Sequence, residues 1–585
     1  MRLGGKGGRS CKRYGGALVL AAATAALVGC GGSPPPNVRV DLTEPGRCVS
    51  FREPAAGPLL AQDSERPIDC YVRLPARSEL IFDLAPEVPR EAFDVTLLAT
   101  RGPERHLPIT RRGQWHVALG GPVDDPVRLR LLNRSARPLT WLRPHVVGSA
   151  EPPPPILDAS ARPPAGRPNV LLYVVDALRA DRLGLYGHSR PTSPNLDALG
   201  TRGIVFMDAY AGGPNTLASI PTLFASRHAW ELGGHLRQSR ELPNRTIAES
   251  FQAAGYRTAA FQANYSLAGA LGLQRGFDAY TIVRSQATGK NATAEELHAH
   301  ALEWLRRESG RPFFLFVQAI DVHGYDVVPP PFAGRFSAGA TPIVVPLDVP
   351  SVTRKVLERI HPERYDDAVA YTDHEIGRLI EALDGLGLRE NTILVVTADH
   401  GESLGEGGGR RYFHGHSLFE ELLHVPLIFN LPWMATGLRV TETVGLARVA
   451  PTLLDLASIA QPPEFVGRSL LADEDPTEPP AAMGARLMKT GAVDASDVEW
   501  YVREGPWKLR CDRTSLHLFH MPSDPEEAND LAAREDVRAA YLATRLARAM
   551  QHADTAARAR QLENELNADQ RRELEDSLRA LGYIE

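Results

Sequence analysis

The sequence predicts an α/β protein: a doubly wound, mostly parallel sheet with an all-β domain ahead of it. Three observations predict it. From residue 168 onward, short apolar runs alternate with helix-periodic segments, as in a parallel sheet covered on both faces. Between 37 and 150, short alternating runs are divided by turns rich in Gly, Pro and Asp, with no helical period. Two apolar runs, Asn169–Val175 and Thr392–Ala398, each end on an acid, Asp176 in one and Asp399 in the other. Chemistry in such sheets lies just past the carboxyl ends of the strands. Two strands far apart in sequence that both deliver carboxylates therefore argue for one shared site.

The 585 residues exceed what one core organises, so two or more domains are expected. Composition is that of a folded globular protein, 43% hydrophobic and 23% charged. The net charge of -6 provides no basic field, which argues against nucleic acid as a partner. Residues 1–29 read as a secretory signal: Arg2, Lys6, Arg9, Lys12 and Arg13 precede the apolar stretch Ala17–Val28. Leu27-Val28-Gly29-Cys30 resembles a bacterial lipobox, which makes Cys30 the expected lipidation site and 30–36 a tether. No later run has the 18 or so apolar residues that span a bilayer. The expected product is a lipoprotein held to a membrane by its lipid, with its body in the periplasm or at the cell surface. Cys48 and Cys70 flank a Pro-containing loop and are a candidate disulfide in that oxidising compartment. Cys11 lies in the signal, and Cys511 reads as a buried thiol.

In chain order, residues 37–150 form an all-β accessory domain. Its runs are Leu80-Ile81-Phe82, Phe93 to Leu98, Trp115 to Leu119, Val127 to Leu131 and Leu139 to Leu142. Their spacing suits a small sandwich or jelly roll that acts as a spacer, with glycan binding the alternative. The Pro-rich stretch 151–167 is a stiff linker. The α/β region at 168–470 follows. Its predicted strands are 169–175, 258–262, 313–319 and 392–397, and its predicted helices 194–200, 246–254, 293–308 and 365–383. Gly405–Gly409 with Arg410 and Arg411 reads as a flap at a pocket mouth or a plain surface loop. The tail 532–585 is charged and helix-periodic, consistent with a docking helix pair.

The chemistry starts from Asp399-His400-Gly401-Glu402. An adjacent carboxylate and imidazole at a strand end are metal ligands in character, and Gly401 lets the chain turn away. Between the two acidic strands lies Gly212-Gly213-Pro214-Asn215-Thr216, a loop running into a helix-like pattern. Thr216 falls near a helix N-terminus, where free N–H groups and the dipole favour an anion. Taken alone, it reads equally as a helix-capping threonine.

Asn169 to Asp181, Tyr186-Gly187, Thr192 to Asp197, Gly255 to Ala259, Arg275 to Asp278, Tyr371, Asp373, Thr397 to Glu402 and Leu518 to Leu531 stand in an order that identifies a family. From about 168 to 585 the chain resembles the sulfatase-like branch of the alkaline phosphatase superfamily. The resemblance implies a metal-dependent ester hydrolase with a small C-terminal subdomain at 471–531. It puts Thr216 at the nucleophile position, with Asp176, Thr216, Asp399 and His400 as ligands of a divalent metal. Imidazole with carboxylates favours Zn²⁺ or Mn²⁺ over Ca²⁺. His323, in Asp321-Val322-His323, and His414, in His414-Gly415-His416, take catalytic places. Asp321, His323, His414 and His416 are candidates for a second metal or for substrate contact.

Two departures from the family matter. Sulfatases carry Cys or Ser at the nucleophile, in Cys/Ser-x-Pro-x-Arg, and a maturase oxidises it to formylglycine. Thr216 would give a ketone, and the motif's Pro and Arg are absent. The usual Asp pair after the first strand is Asp176-Ala177 here. These point to relatives with a Thr alkoxide, such as nucleotide pyrophosphatases/phosphodiesterases and lipoteichoic acid synthases. The expected function is hydrolysis or transfer of phosphate esters or diesters, with an anionic substrate that includes a lipid or glycan among its candidates. The alternatives are a sulfuric ester hydrolase and an inactive glycan- or envelope-binding protein. His188, His228 and His235 read as structural.

Overall fold

The structure is a computed structural model. It describes residues 37–565 except 45–46, 50–58, 63–66, 121–124, 151–152, 165, 233–241, 243–244, 265–266, 268–271, 286–290, 326–327, 340–360, 407–411, 435, 476–479, 488–497 and 513. The signal, Cys30 and most of the Gly405–Arg411 loop thus lie outside the described residues.

The first layer is a β-sandwich. A six-stranded sheet carries Ala76–Ala85, Gln114–Ala118 and Leu139–Ser149, and a five-stranded sheet carries Ile68–Arg73, Phe93–Ala99 and Pro126–Asn133. The inward positions alternate, as strict two-residue patterning requires: Leu80 and Phe82 from one sheet meet Phe93, Val95 and Leu97 from the other. Phe82 and Phe93 pack edge to face at 5.7 Å, and Trp141 lies 4.6 Å from Phe82. A disulfide joins Cys48 and Cys70 on neighbouring strands.

The second layer is an eight-stranded mixed sheet. Its central strands Arg257–Gln262, Phe313–Ala319, Asn169–Val175 and Thr392–Ala398 run parallel in that spatial order. The last three are buried along their whole length. That explains why they read as continuous Val/Leu/Phe runs, each large side chain contributing about 1.5–3 kcal/mol on burial. Leu427–Asn430 enters antiparallel between Thr392–Ala398 and Ile204–Phe206, so the sheet is mixed at that side. Helices 194–200, 294–308 and 362–385 pack as one group, and 216–225, 247–253 and 449–456 as another. Two helices begin with capping boxes, Thr246 with Glu249 and Thr293 with Glu296, which trims each predicted start by one residue. Among the described residues, no helix is long and apolar enough to cross a membrane.

A four-stranded antiparallel sheet, Ala482–Leu487, Val498–Glu504, Trp507–Cys511 and Leu516–His520, closes the fold. The described part of the tail is one helix, Asp536–Glu565; the remainder of the expected helix pair falls after 565, outside the described residues. Its first turns carry the apolar Tyr541, Leu542 and Leu546 onto this sheet. Glu504 ties three parts together, pairing with Arg73 of the sandwich at 2.7 Å and with Arg545 of the helix.

The small sheet supports the loop before Thr216. Ala485 N–H donates to the Gly212 carbonyl at 3.1 Å, and Tyr501 Oη donates to the Ala211 carbonyl. A Cβ on Gly484 would stand 2.4 Å from the Gly212 oxygen, so only glycine permits this approach. Beside it, Lys508 is fully buried, 3.0 Å from Glu420 and 2.7 Å from Glu527. Removing one partner of such a pair strands the other's charge. Lys508→Ala is therefore expected to lower stability by about 3–5 kcal/mol. Adding Glu527→Gln should recover part of the loss, as read by chemical denaturation.

Candidate active site

Strand register builds the site. Val175 lies beside Ala319 on one side and Ala398 on the other, so Asp176 and Asp399 leave the sheet together. Asp176 N–H is held by the Ala319 carbonyl at 2.9 Å. Asp176, Asp399 and His400 are each fully buried. One ligand atom from each lies within 4.8 Å of the others, and among the described residues no other such group of three occurs. His400 Nε2 stands 3.5 Å from Asp176 Oδ1 and 3.7 Å from Asp399 Oδ2. Its Nδ1 faces the Gly401 carbonyl at 2.8 Å, which leaves Nε2 for the cluster. A Cβ on Gly401 would meet the Glu421 carbonyl oxygen at 2.0 Å, so the turn after His400 needs glycine.

Thr216 joins this cluster. Its Oγ1 lies 3.4 Å from Asp176 Oδ2 and 3.3 Å from His400 Nε2. The helix cap is the neighbouring Asn215, whose Oδ1 accepts from Ala218 N–H at 3.0 Å. Thr216 is the first residue of the helix, and capping makes no claim on its hydroxyl.

Three amide groups at the site escaped the sequence reading. Asn264 Nδ2 donates to Asp176 Oδ2 at 2.6 Å and reaches Thr216 Oγ1 at 3.3 Å. Gln318 Nε2 approaches Asp176 Oδ2 at 3.3 Å. Ala177, with φ of 64°, turns its N–H onto Asp399 Oδ1 at 3.2 Å. A left-handed backbone at a non-glycine is strained, and here it aims an N–H at a site carboxylate. Following every parallel strand to its carboxyl end, not only those that end on acids, brings Asn264 and Gln318 into view.

Asp176 Oδ1 and Asp399 Oδ2 are buried without a hydrogen-bond partner. Burial, with the Asp176 charge beside it, holds the Asp399 carboxyl above the usual carboxylate range. Two buried carboxylates that leave oxygens unpaired beside an imidazole nitrogen suit a divalent cation.

The remaining expected residues divide. His414 reaches the cluster and His323 stands beside it: the His414 ring centre is 4.5 Å from that of His400 and 4.8 Å from that of His323. Asp321 does not join them. Its Oδ1 accepts from Ala294 N–H at 3.2 Å, at the start of the 294–308 helix. His416 is exposed, and its Nε2 faces the Phe413 carbonyl at 3.1 Å. The four candidates for a second metal or substrate contact thus do not converge, because a helix end holds one and a loop carbonyl another.

The family model for Sulfatase matches residues 168–459. The chain belongs to the sulfatase-like branch of the alkaline phosphatase superfamily. Arylsulfatase K of Gallus gallus is 26% identical over 448 residues, 64% of this chain and 81% of that enzyme. An arylsulfatase of Clostridium perfringens is 26% identical over 379 residues, 52% of this chain and 78% of the relative. Among solved structures, the phosphonate monoester hydrolase of Agrobacterium radiobacter is similar in fold, with a TM-score of 0.55 at 20% identity. That match covers 66% of this chain and 96% of the other. The protein is accordingly a hydrolase of this superfamily.

Burial raises the Asp321 carboxyl of this sulfatase-family hydrolase to about 7. A carboxyl raised on folding favours the folded state below its unfolded pKa, and that contribution is lost as pH rises through about 7. Asp321→Asn keeps an acceptor for Ala294 N–H. Its thermal midpoint should match the wild type near pH 4 and exceed it at pH 8. Equal midpoints at both pH values would contradict the assigned burial cost.

Proposed function

We propose that the protein cleaves phosphate esters or diesters with the Thr216 hydroxyl as nucleophile. The observation that carries this reading is the place of Thr216 Oγ1, 3.4 Å from Asp176 and 3.3 Å from His400, while Asn215 does the capping. Asp176, Asp399, His400 and the Thr216 oxygen would hold one divalent cation, with Zn²⁺ or Mn²⁺ preferred to Ca²⁺ for a mixed nitrogen and oxygen set. A cation held there supplies positive charge that favours the Thr216 alkoxide and offsets the charge of the anionic ester.

The protein's own groups do the rest. Thr216 Oγ1 attacks phosphorus, and an ester of Thr216 forms as the leaving alcohol departs. Water, or an acceptor alcohol in a transfer reaction, then cleaves that ester. The Asn264 amide, already at Thr216 Oγ1, orients the hydroxyl and stays neutral beside an anionic substrate. His414, its ring centre 4.5 Å from that of His400, and His323, 4.8 Å from His414, serve the leaving group. Phosphate is favoured over sulfate because Thr216 carries a methyl group on the carbon that formylglycine formation oxidises to an aldehyde. The second reading, sulfuric ester hydrolysis by an unmodified threonine, is favoured by the arylsulfatases among the relatives.

A panel of p-nitrophenyl phosphate, phosphodiester and sulfate esters, each with Mn²⁺, Zn²⁺ and Ca²⁺, separates the two. Phosphate or diester turnover is expected, and preferential sulfate release would establish the second reading. Thr216→Ala should lower kcat by about 10³-fold or more, with metal content near normal. Thr216→Ser, which keeps the hydroxyl, should retain measurable turnover. Full activity in Thr216→Ala would remove the assignment.

We also infer that Cys30 carries the lipid anchor, a reading supported by the Leu27-Val28-Gly29-Cys30 order. Cys30→Ala should move the protein from the membrane to the soluble fraction on cell fractionation, and retention in the membrane would refute it.

A further inference from the structure

We infer that Glu402 is a positioning residue that fixes the His414 ring, so that its Nε2 delivers the proton to the leaving-group oxygen. The inference deepens the Thr216 reading and rests on it for its chemistry. Glu402 directly follows Gly401 at the end of the ligand segment, and only 2% of its surface is exposed. Its Oε2 meets His414 Nδ1 at 2.9 Å, and its Oε1 is buried without a hydrogen-bond partner. A carboxylate buried this deeply needs a charged or donating partner, and the imidazole supplies it.

The fold brings the two together by a short hairpin. Ser403–Leu404 pairs antiparallel with Tyr412–Phe413, Ser403 opposite Phe413. Glu402 precedes one strand and His414 follows the other, so they face each other one step beyond the ladder. Both ends are pinned. Arg179 Nη1 donates to the Glu402 carbonyl at 2.9 Å. Gly415 N–H donates to the Pro214 carbonyl at 2.8 Å, two residues before Thr216. Between these anchors Phe413 takes φ of 67°, which a bulky side chain adopts only under constraint. The strained residue stands immediately before the histidine that must be aimed.

With its Nδ1–H held by the buried Glu402 carboxylate, the ring acts as the imidazolium, whose charge that carboxylate offsets, so Nε2 on the far side of the ring also carries a proton to give. Among the described residues no hydrogen bond is made to that nitrogen, while the ring itself lies 4.5 Å from His400. The step balances. The Thr216 hydroxyl first gives its proton to solvent. The bond from Thr216 Oγ1 to phosphorus then forms as the bond from phosphorus to the leaving oxygen breaks. That oxygen keeps the electron pair and takes the Nε2 proton, departing as a neutral alcohol. His414 recovers a proton from the water that cleaves the Thr216 ester, and Thr216 regains its hydroxyl.

The test uses aryl phosphate diesters of graded leaving-group basicity with the metal-loaded enzyme. His414→Ala and Glu402→Ala should each lose about 10²-fold on phenyl esters and much less on p-nitrophenyl esters, whose leaving group needs little protonation. Glu402→Gln keeps an acceptor for Nδ1–H and should recover part of the loss. The double variant should be no worse than His414→Ala alone, because the two act as one unit. A loss in Glu402→Ala that is uniform across leaving groups, that adds to the His414 loss, or that follows loss of bound metal would overturn the proposal. Nitrogen-15 histidine NMR, with the His414 signal assigned through His414→Ala, reads the hold without turnover. Nδ1 should be protonated in the wild type and lose that preference in Glu402→Ala; an unprotonated Nδ1 in the wild type would overturn it. A wild type inactive on every ester would instead defeat the Thr216 reading.

Discussion

The structure depends on burying two carboxylates together. Asp176 and Asp399 leave adjacent strands at the same level, with no water-exposed surface on either. Like charges at such a distance in a low-dielectric interior oppose each other, and burial penalises each alone. The protein relieves only part of this. Asp399 Oδ1 accepts from Ala177 N–H and His400 N–H, and Asp176 Oδ2 from Asn264. One oxygen on each acid still lacks a partner. That uncompensated charge suits the site to a cation, and it is why a threonine oxygen placed among these groups becomes chemically interesting.

The surroundings are built to keep that arrangement from relaxing. The strand ends cannot separate, because their seven-residue runs are buried on both faces. Tyr365 Oη donates to the Ala177 carbonyl at 2.6 Å and accepts from Arg179 N–H at 2.8 Å, so the long helix locks the left-handed turn after Asp176. The small C-terminal sheet carries the loop that presents Thr216. Strain at Ala177 and Phe413 is thus stored next to the candidate chemistry and offset by packing elsewhere.

Much of the architecture was legible because burial leaves a direct trace in composition. A strand buried on both faces must be apolar throughout, and a strand buried on one face must alternate. Asn169–Val175 and Phe313–Ala319 were therefore read to the residue. Helix starts were less legible, since Thr246 and Thr293 cap their helices from outside. The acids and His400 announced themselves by chemistry and by position at strand ends. Asn264, Gln318 and Glu402 did not, because an amide or a lone carboxylate has no signature until the fold supplies its partner. Asp321 and His416 show the converse: suitable side chains in suitable loops, turned by a helix end and a carbonyl to other duties.

The replacement of a second aspartate by Ala177 has a further consequence. An additional carboxylate at that position would stand beside two already crowded acids and would demand a cation richer in oxygen ligands, as Ca²⁺ is. Ala177 instead offers an N–H, which takes up one Asp399 oxygen and removes it from the ligand set. The donor set that remains is smaller and includes the imidazole of His400. A harder cation loses most by that exchange, and a borderline one loses least. The same site carries threonine where formylglycine formation needs cysteine or serine. Under the proposed Thr216 reaction the two substitutions are mutually consistent: fewer hard ligands would lower the demand for Ca²⁺, and a plain hydroxyl would raise the demand for a cation that can hold an alkoxide.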